Sequence, residues 1–440
     1  MFAPNLESLS THKLPDWFRD AKLGIFIHWG LYSVPAFAKP TWELGAAPEG
    51  EDWNINNPYA EWYQNGMRLG EGPTYEHHVK TYGADFPYEG FVDMWKAEKW
   101  DPNQWATLFK KAGARYVVPV TKHHDGYCLW DSKYTDFNSV KSGPKRDLMK
   151  ELAAAVRAQD MRLGMYYSAI LDWQYSKTGI GKGWDMYWVE NRTHAYADYA
   201  YNQYMELIDN FKPEILWNDI GYPEKGMSDL PMLMAYYYNN VPEGIVNDRF
   251  SGFWKDYTIR EYQLGESDFT NVWENNRGMG LSFGYNAQED ERHFMSKHKL
   301  ISLLLDTVAN NGNLLINVGP CADGTIQEEQ TSRLLAMGEW LDVHGEGIYS
   351  TRPYTRRHEK VENGTDLYFT QKGEQVYAFF DNLPPGDSTV TIKGFGAVAE
   401  KARAMDTKKP LTFAANGSDL VVQLSNIGED AYPVGVYLSS

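Results

Sequence analysis

Short apolar runs of strand length alternate with stretches of helical periodicity from residue 20 to about 345. That alternation predicts parallel strands joined by crossover helices. Strands are expected at 22–30, 115–121, 162–168, 215–219, 245–248, 260–264 and 314–318. Between them, Asp101-Pro102 opens a helix through Lys111 with Trp105, Leu108 and Phe109 at helical spacing, and further helices are expected over 146–159, 191–211 and 301–309. About seven strands in this order favour a (β/α)8-like barrel. No GxGxxG turn follows the first strand, which argues against an open doubly wound sheet.

After Gly345 helical periodicity gives way to alternating runs at 366–370, 375–380, 389–393, 419–424 and 434–438, parted by turns such as Lys372-Gly373 and Asn416-Gly417. These predict a small antiparallel β-sandwich. The expected organisation is a barrel catalytic domain over residues 1–345 and a β-sandwich domain over 346–440. The second domain gathers few candidate catalytic groups and reads as structural.

Composition narrows the substrate. The 440 residues carry 42 Lys and Arg against 59 Asp and Glu, a formal net charge of −17. Such a surface repels phosphate backbones and anionic lipid, so neither nucleic acid nor a membrane is an expected partner, and a neutral substrate is favoured. Aromatic residues make up 15% of the chain, with 16 Trp and 30 Tyr. Flat rings of this kind suit the C–H faces of a sugar, and their polar tips still hydrogen-bond. The two cysteines, Cys128 and Cys321, form neither a CxxC nor a zinc pattern. Residues 1–10 lack the basic start and apolar stretch of a secretory signal, and the apolar run at 301–305 is too short to span a bilayer. Cytoplasmic residence is the expectation, a secreted protein trimmed of its signal being the other reading.

Barrels of this type assemble their sites at the C-terminal ends of strands. Polar residues fall at those points here: His28-Trp29, His123-His124-Asp125, Tyr166-Tyr167, Trp217 to Asp219 and Asp248-Arg249. Asp219 closes the apolar strand Ile215-Leu216-Trp217-Asn218-Asp219, which fixes its backbone and aims its carboxylate at the site. Retaining cleavage of a glycosidic bond needs such a nucleophile and a facing carboxylic acid. Glu261, between Arg260 and Tyr262, is the candidate acid, and Glu61 in Tyr59-Ala60-Glu61-Trp62-Tyr63 is its rival. His28, His123 and His124 are expected to hydrogen-bond sugar hydroxyls, and Arg249 to clamp hydroxyls or steady the nucleophile. A metal held by His123, His124 and Asp125 is the lesser reading, because adjacent strand residues point to opposite faces.

Several of these segments together resemble the α-L-fucosidases of glycoside hydrolase family 29, over roughly residues 14 to 345. The resemblance is carried by Lys22-Leu23-Gly24-Ile25-Phe26-Ile27-His28-Trp29-Gly30, by Glu61-Trp62-Tyr63, by Trp100-Asp101-Pro102 through Trp105, by Ala112-Gly113-Ala114-Arg115-Tyr116, by Thr121-Lys122-His123-His124-Asp125-Gly126 and by Gly312-Asn313-Leu314-Leu315-Ile316-Asn317-Val318-Gly319-Pro320. It implies a barrel, a C-terminal β-sandwich, and retaining hydrolysis of terminal α-L-fucosides on fucosylated glycans without a cofactor or metal. Carried over by motif, Asp219 is the nucleophile. His28, Glu61, Trp62, His123, His124, Tyr166, Trp217 and Arg249 are similar to the fucose-binding set, with Phe283 facing the sugar's methyl group. Glu261 resembles the acid of one subgroup. Asn218 and Ile220 depart from residues common beside the nucleophile, and the Trp-Glu-x-Cys signature of some members stands here as Trp273-Glu274-Asn275-Asn276. Side activity on α-L-galactosides is expected from the same site, since an apolar pocket discriminates modestly against an added hydroxyl. A metal-dependent hydrolase and a catalytically silent sugar-binding protein are the remaining alternatives.

Overall fold

The computed structural model describes residues 1–181, 191–250, 252, 254–262, 270–408 and 411–438. Eight parallel strands form its first layer: β1 Leu23–Ile27, β2 Tyr116–Lys122, β3 Arg162–Ser168, β4 Ile215–Asp219, β5 Ile245–Val246, β6 Thr258–Glu261, β7 Trp273–Gly278 and β8 Gly312–Val318. Their spatial order, β5-β4-β3-β2-β1-β8-β7-β6, is that of a curled barrel sheet with a seam between β5 and β6. Asp256 bridges this seam region. Its N–H donates to the Val246 carbonyl at 2.9 Å, and its carboxylate accepts from the Val246 N–H at 2.8 Å.

Helices α1 Pro102–Lys111, α2 Leu148–Ala158, α3 His194–Phe211, α4 Leu230–Asn240, α5 Lys297–Ala309 and α6 Glu328–His344 accompany the strands. Asp101 starts α1 by accepting from the Asn103 and Gln104 N–H groups, with Pro102 at the first position, where no amide hydrogen is needed. Asp147 caps α2 through the Lys150 N–H, which places the helix start two residues after the expected 146. One apolar cluster lies between sheet and helices. A second fills the barrel interior with Phe26, Tyr116, Val118, Tyr166, Ile215, Trp217 and Leu315. Gly24 is required by that filling, since a Cβ there would stand 2.4 Å from the Tyr116 ring.

One barrel strand escaped the sequence pattern. β7 reads Trp-Glu-Asn-Asn-Arg-Gly yet is buried along its whole length. Several of its polar groups are hydrogen-bonded: Glu274 with Tyr116 and Trp217, Asn275 through its amide nitrogen with Thr307 of α5, and Arg277 with Glu43. A strand stabilised by buried hydrogen bonds carries no apolar signature. The strand expected at 260–264 begins earlier, at Thr258, and positions 263 and 264 lie outside the described residues. Neither α4 nor α6 was singled out by periodicity.

Beyond α6, two antiparallel sheets face each other. The first, in the order β13-β16-β11-β10-β9, comprises β9 Arg352–Lys360, β10 Asp366–Lys372, β11 Gln375–Asp381, β13 Arg403–Ala404 and β16 Val434–Leu438; the second, β12-β15-β14, comprises β12 Gly386–Ile392, β14 Leu411–Asn416 and β15 Asp419–Ile427. Leu367, Phe369, Phe380, Ile392, Leu420 and Val436 share the core. β9 was not foreseen because it is an edge strand rich in Arg, His and Lys, the composition that guards an edge against further pairing. This unit docks on the barrel through the Trp340 indole N–H to the Pro433 carbonyl at 2.8 Å and through His298 to Asp381 at 2.6 Å.

Candidate active site

A cavity of 580 Å³ opens at the C-terminal ends of the barrel strands. His28, Glu61, Trp62, His123, His124, Tyr166, Trp217, Asp219, Arg249, Glu261 and Phe283 all line it. The structure therefore brings together every residue expected to act in catalysis or fucose binding. β1, β2, β3 and β4 deliver His28, the histidine pair, Tyr166 and the Trp217–Asp219 end, while the long connection from β1 to α1 brings Glu61 and Trp62.

Arg249 is the hub. Its Nη1 donates to Asp219 Oδ1 at 2.6 Å and its Nη2 to Glu261 Oε2 at 2.7 Å, so one guanidinium joins the two carboxylates. Asp219 also accepts from the Tyr166 hydroxyl at Oδ2, 2.6 Å away, and from the Ile220 N–H at Oδ1, 2.9 Å away. Burial alone would raise the Asp219 pKa, but Arg249, His124 and the Tyr166 hydrogen bond hold it below the ordinary carboxylate value. Burial pulls His124 itself down to about 4, so Arg249 is the lasting counter-charge at neutral pH. Asp219 is thus ionised, as a nucleophile must be.

The tautomers of two histidines follow from their neighbours. Ser168 donates its hydroxyl to the Leu171 carbonyl, so it accepts from His124 Nδ1–H at 2.7 Å. Asn317 donates its amide to the Phe283 carbonyl, so its oxygen accepts from His28 Nδ1–H at 2.7 Å. Burial lowers the His28 pKa to about 3. Both imidazoles are neutral, with Nε2 left as a lone-pair acceptor for a hydroxyl. Among the described residues, His123 Nδ1 and Asn276 Oδ1 are buried with no hydrogen-bond partner. Each lies on a residue of the cavity wall.

Glu61 accepts from the Gly284 N–H at 2.7 Å and the Ser282 hydroxyl at 3.3 Å. Burial pushes its pKa up to about 8 in spite of those donors. Phe283 packs against His28 at 4.8 Å and Tyr59 at 5.3 Å between ring centroids, giving the polar cavity one apolar wall. Trp62 stands edge-on to His124 at 5.3 Å. Asp125, by contrast, is absent from the wall: it accepts from Tyr88 and from the Tyr127 N–H. No three His, Cys, Asp or Glu side chains among the described residues are grouped to hold a metal ion.

Sequence reasoning missed Tyr59, whose hydroxyl donates to Glu261 Oε1 at 3.2 Å. Its position two residues before Glu61 in an aromatic segment was the available signal. Asn276 was missed with its strand. Leu44, Trp53, Ile170, Tyr222, Met227 and Phe250, which also line the wall, come from loops and carry no periodicity.

Residues 1–346 match the family described as Alpha-L-fucosidase. An alpha-L-fucosidase of Dictyostelium discoideum is 32% identical over 461 residues, which cover 99% of this chain and 94% of that protein. A solved structure described as an alpha-L-fucosidase superposes with a TM-score of 0.93 at 47% identity and complete coverage of both chains. The structure of Thermotoga maritima alpha-fucosidase in complex with a mechanism based inhibitor gives a TM-score of 0.90 at 46% identity, again over both chains in full.

Proposed function

The chain belongs to the alpha-L-fucosidase family and is a retaining glycoside hydrolase of α-L-fucosides; within that activity, we propose that Asp219 is the nucleophile and Glu261 the general acid and base. The observation that carries the assignment is the single Arg249 guanidinium spanning both carboxylates at the cavity wall. In the first step Asp219 attacks the anomeric carbon, the bond to the leaving oxygen breaks, and the Glu261 proton passes to that oxygen. A covalent β-fucosyl-aspartate results. In the second step water gives its proton to Glu261 and its oxygen to the anomeric carbon, and the bond to Asp219 breaks. The product is L-fucose in its α form.

The hydrogen bonds assign atoms to these roles. Asp219 Oδ1 is engaged by both Arg249 and the Ile220 N–H, whereas Oδ2 has the Tyr166 hydroxyl alone. Oδ2 therefore keeps a lone pair for attack, and Oδ1 becomes the ester carbonyl, retained by its two donors. The neutral Nε2 atoms of His28 and His124 receive fucose hydroxyls, and Phe283 supplies an apolar surface for the methyl group. Glu61 serves this binding set: two donors tie its carboxyl to the loop that carries Phe283.

Glu261→Ala should slow substrates with poor leaving groups by roughly 10² to 10⁴, with aryl fucosides hurt less. Equal loss on both would remove Glu261 from the acid role. For Asp219→Gly, azide should restore turnover and form β-fucosyl azide; an α product would overturn the double displacement.

A further inference from the structure

Among the buried carboxyl groups outside the cavity wall, Glu274 is hydrogen-bonded to a residue of that wall. Glu274 of β7 is wholly buried, and it points into the barrel interior. Its Oε1 accepts from the Trp217 indole N–H at 2.8 Å and its Oε2 from the Tyr116 hydroxyl at 2.6 Å. Burying a carboxyl group between two neutral donors is unfavourable unless both donors need it. An apolar residue here would leave the indole N–H and the phenol without partners, which is the costlier arrangement.

What Trp217 supports explains the need. The Tyr166 ring lies along its indole face, 5.4 Å between centroids and tilted by 23°. The Arg249 guanidinium sits 5.0 Å from the same indole. These are the two side chains that hydrogen-bond Asp219, one at each oxygen. A Trp held only by packing is free to rock in its own plane, and both donors would move with it. An in-plane hydrogen bond at Nε1 removes that freedom.

We propose that Glu274 is a positioning residue for this reaction: by clamping the Trp217 indole N–H, it fixes the aromatic surface from which Tyr166 and Arg249 are aimed at Asp219. The proposal rests on the reading of Asp219 as nucleophile. Glu274 does not line the cavity, so the route proposed for its effect runs through Trp217.

Steady-state kinetics on an aryl α-L-fucoside, with Glu274 and Trp217 varied singly and together, test this. Glu274→Leu should lower kcat by about 10²-fold while changing KM by less than about threefold. Glu274→Gln should stay within about fivefold of the parent, since its amide oxygen accepts from Trp217 and its NH2 donates to the Tyr116 oxygen. Trp217→Phe removes the indole N–H, so adding Glu274→Leu to it should cost less than about a further threefold. A full 10²-fold loss in that background would overturn the proposal. So would a Glu274→Gln variant as slow as Glu274→Leu, or one whose pH–rate profile loses a limb, because the carboxyl group itself would then take part. Should Glu274→Leu fail to fold, the Gln and Trp217→Phe variants decide the matter. Azide rescue of Asp219→Gly tests the nucleophile separately: successful rescue with a failed cycle overturns Glu274 alone.

Discussion

Replacing Arg249 by Met removes the cation that joins the two carboxylates and leaves a side chain of similar length. Arg249 is 27% and Asp219 10% exposed at the side chain, so water screens this pair only in part. Asp219 retains its burial, which raises its pKa, and loses the strongest influence that lowers it. A charge-assisted hydrogen bond contributes about 1.5–3 kcal/mol, and about 1.4 kcal/mol corresponds to one pKa unit, so the Asp219 pKa should rise by roughly 1–2 units. The sign is fixed by the chemistry: the nucleophile works ionised, and kcat/KM falls as pH drops through its pKa. The acidic limb of the kcat/KM profile, which reports the free enzyme, should therefore move to higher pH by that amount. Arg249→Lys should shift it less, because an ammonium is a point charge that cannot span both carboxylates as a planar fork does. The measurement is kcat/KM for an aryl α-L-fucoside across the acid range, with circular dichroism to confirm an intact fold. A lowered plateau with the acidic limb unmoved would refute the reasoning and restrict Arg249 to gripping the sugar.

Two further outcomes follow from other contacts. Asn317→Ala removes the acceptor of His28 Nδ1–H and the donor to the Phe283 carbonyl, so inhibition by fucose should weaken by about tenfold, near 1.4 kcal/mol, and an unchanged inhibition constant would disconnect Asn317 from sugar binding. The hydrogen bond from His298 to Asp381 at the barrel–sandwich contact raises the His298 pKa. Stability from this pair is fully present below the unfolded-state value of about 6.5 and is lost as pH rises through the raised folded value, so His298→Gln should destabilise the protein at about pH 5.5 and have little effect at about pH 9, as read by urea unfolding. Equal destabilisation at both pH values would rule the ion pair out as its source.

The sequence was most legible where burial is apolar. β3 and β4 fall on the expected residues, 162–168 and 215–219, because their apolar runs end where the site begins. That ending also marked the chemistry: polar groups at the ends of apolar strands have few structural reasons to be there, and His28, His123, Tyr166 and Asp219 all reach the cavity. Legibility failed where hydrogen bonds replace apolar contact. β7 is polar and buried, so Glu274 and Asn276 disappeared with it from the pattern. The junction of Arg249 with Glu261 crosses the seam between β5 and β6, where a strand of two residues offers no period to read. The loop residues of the mouth, Tyr222, Met227 and Phe250, are placed by packing that only the folded chain brings about.

The protonation pattern of the cavity bears on why it takes a neutral sugar. Burial holds His28 and His124 uncharged, near 3 and 4, and keeps a proton on Glu61 up to about 8. Burial also lowers His123 well below its ordinary value. At neutral pH these four groups meet sugar hydroxyls as uncharged donors and acceptors. Asp219 remains ionised beside a permanently charged Arg249. Of its two oxygens, Oδ2 is the one away from the guanidinium. In a largely buried wall an oriented carboxylate acts more strongly on a developing positive charge than it would in solution. Ionised histidines would offset its field, and an ionised Glu61 would compete with it for the same cation. The desolvation that makes this wall costly to bury is therefore what confines full charge to the reacting centre.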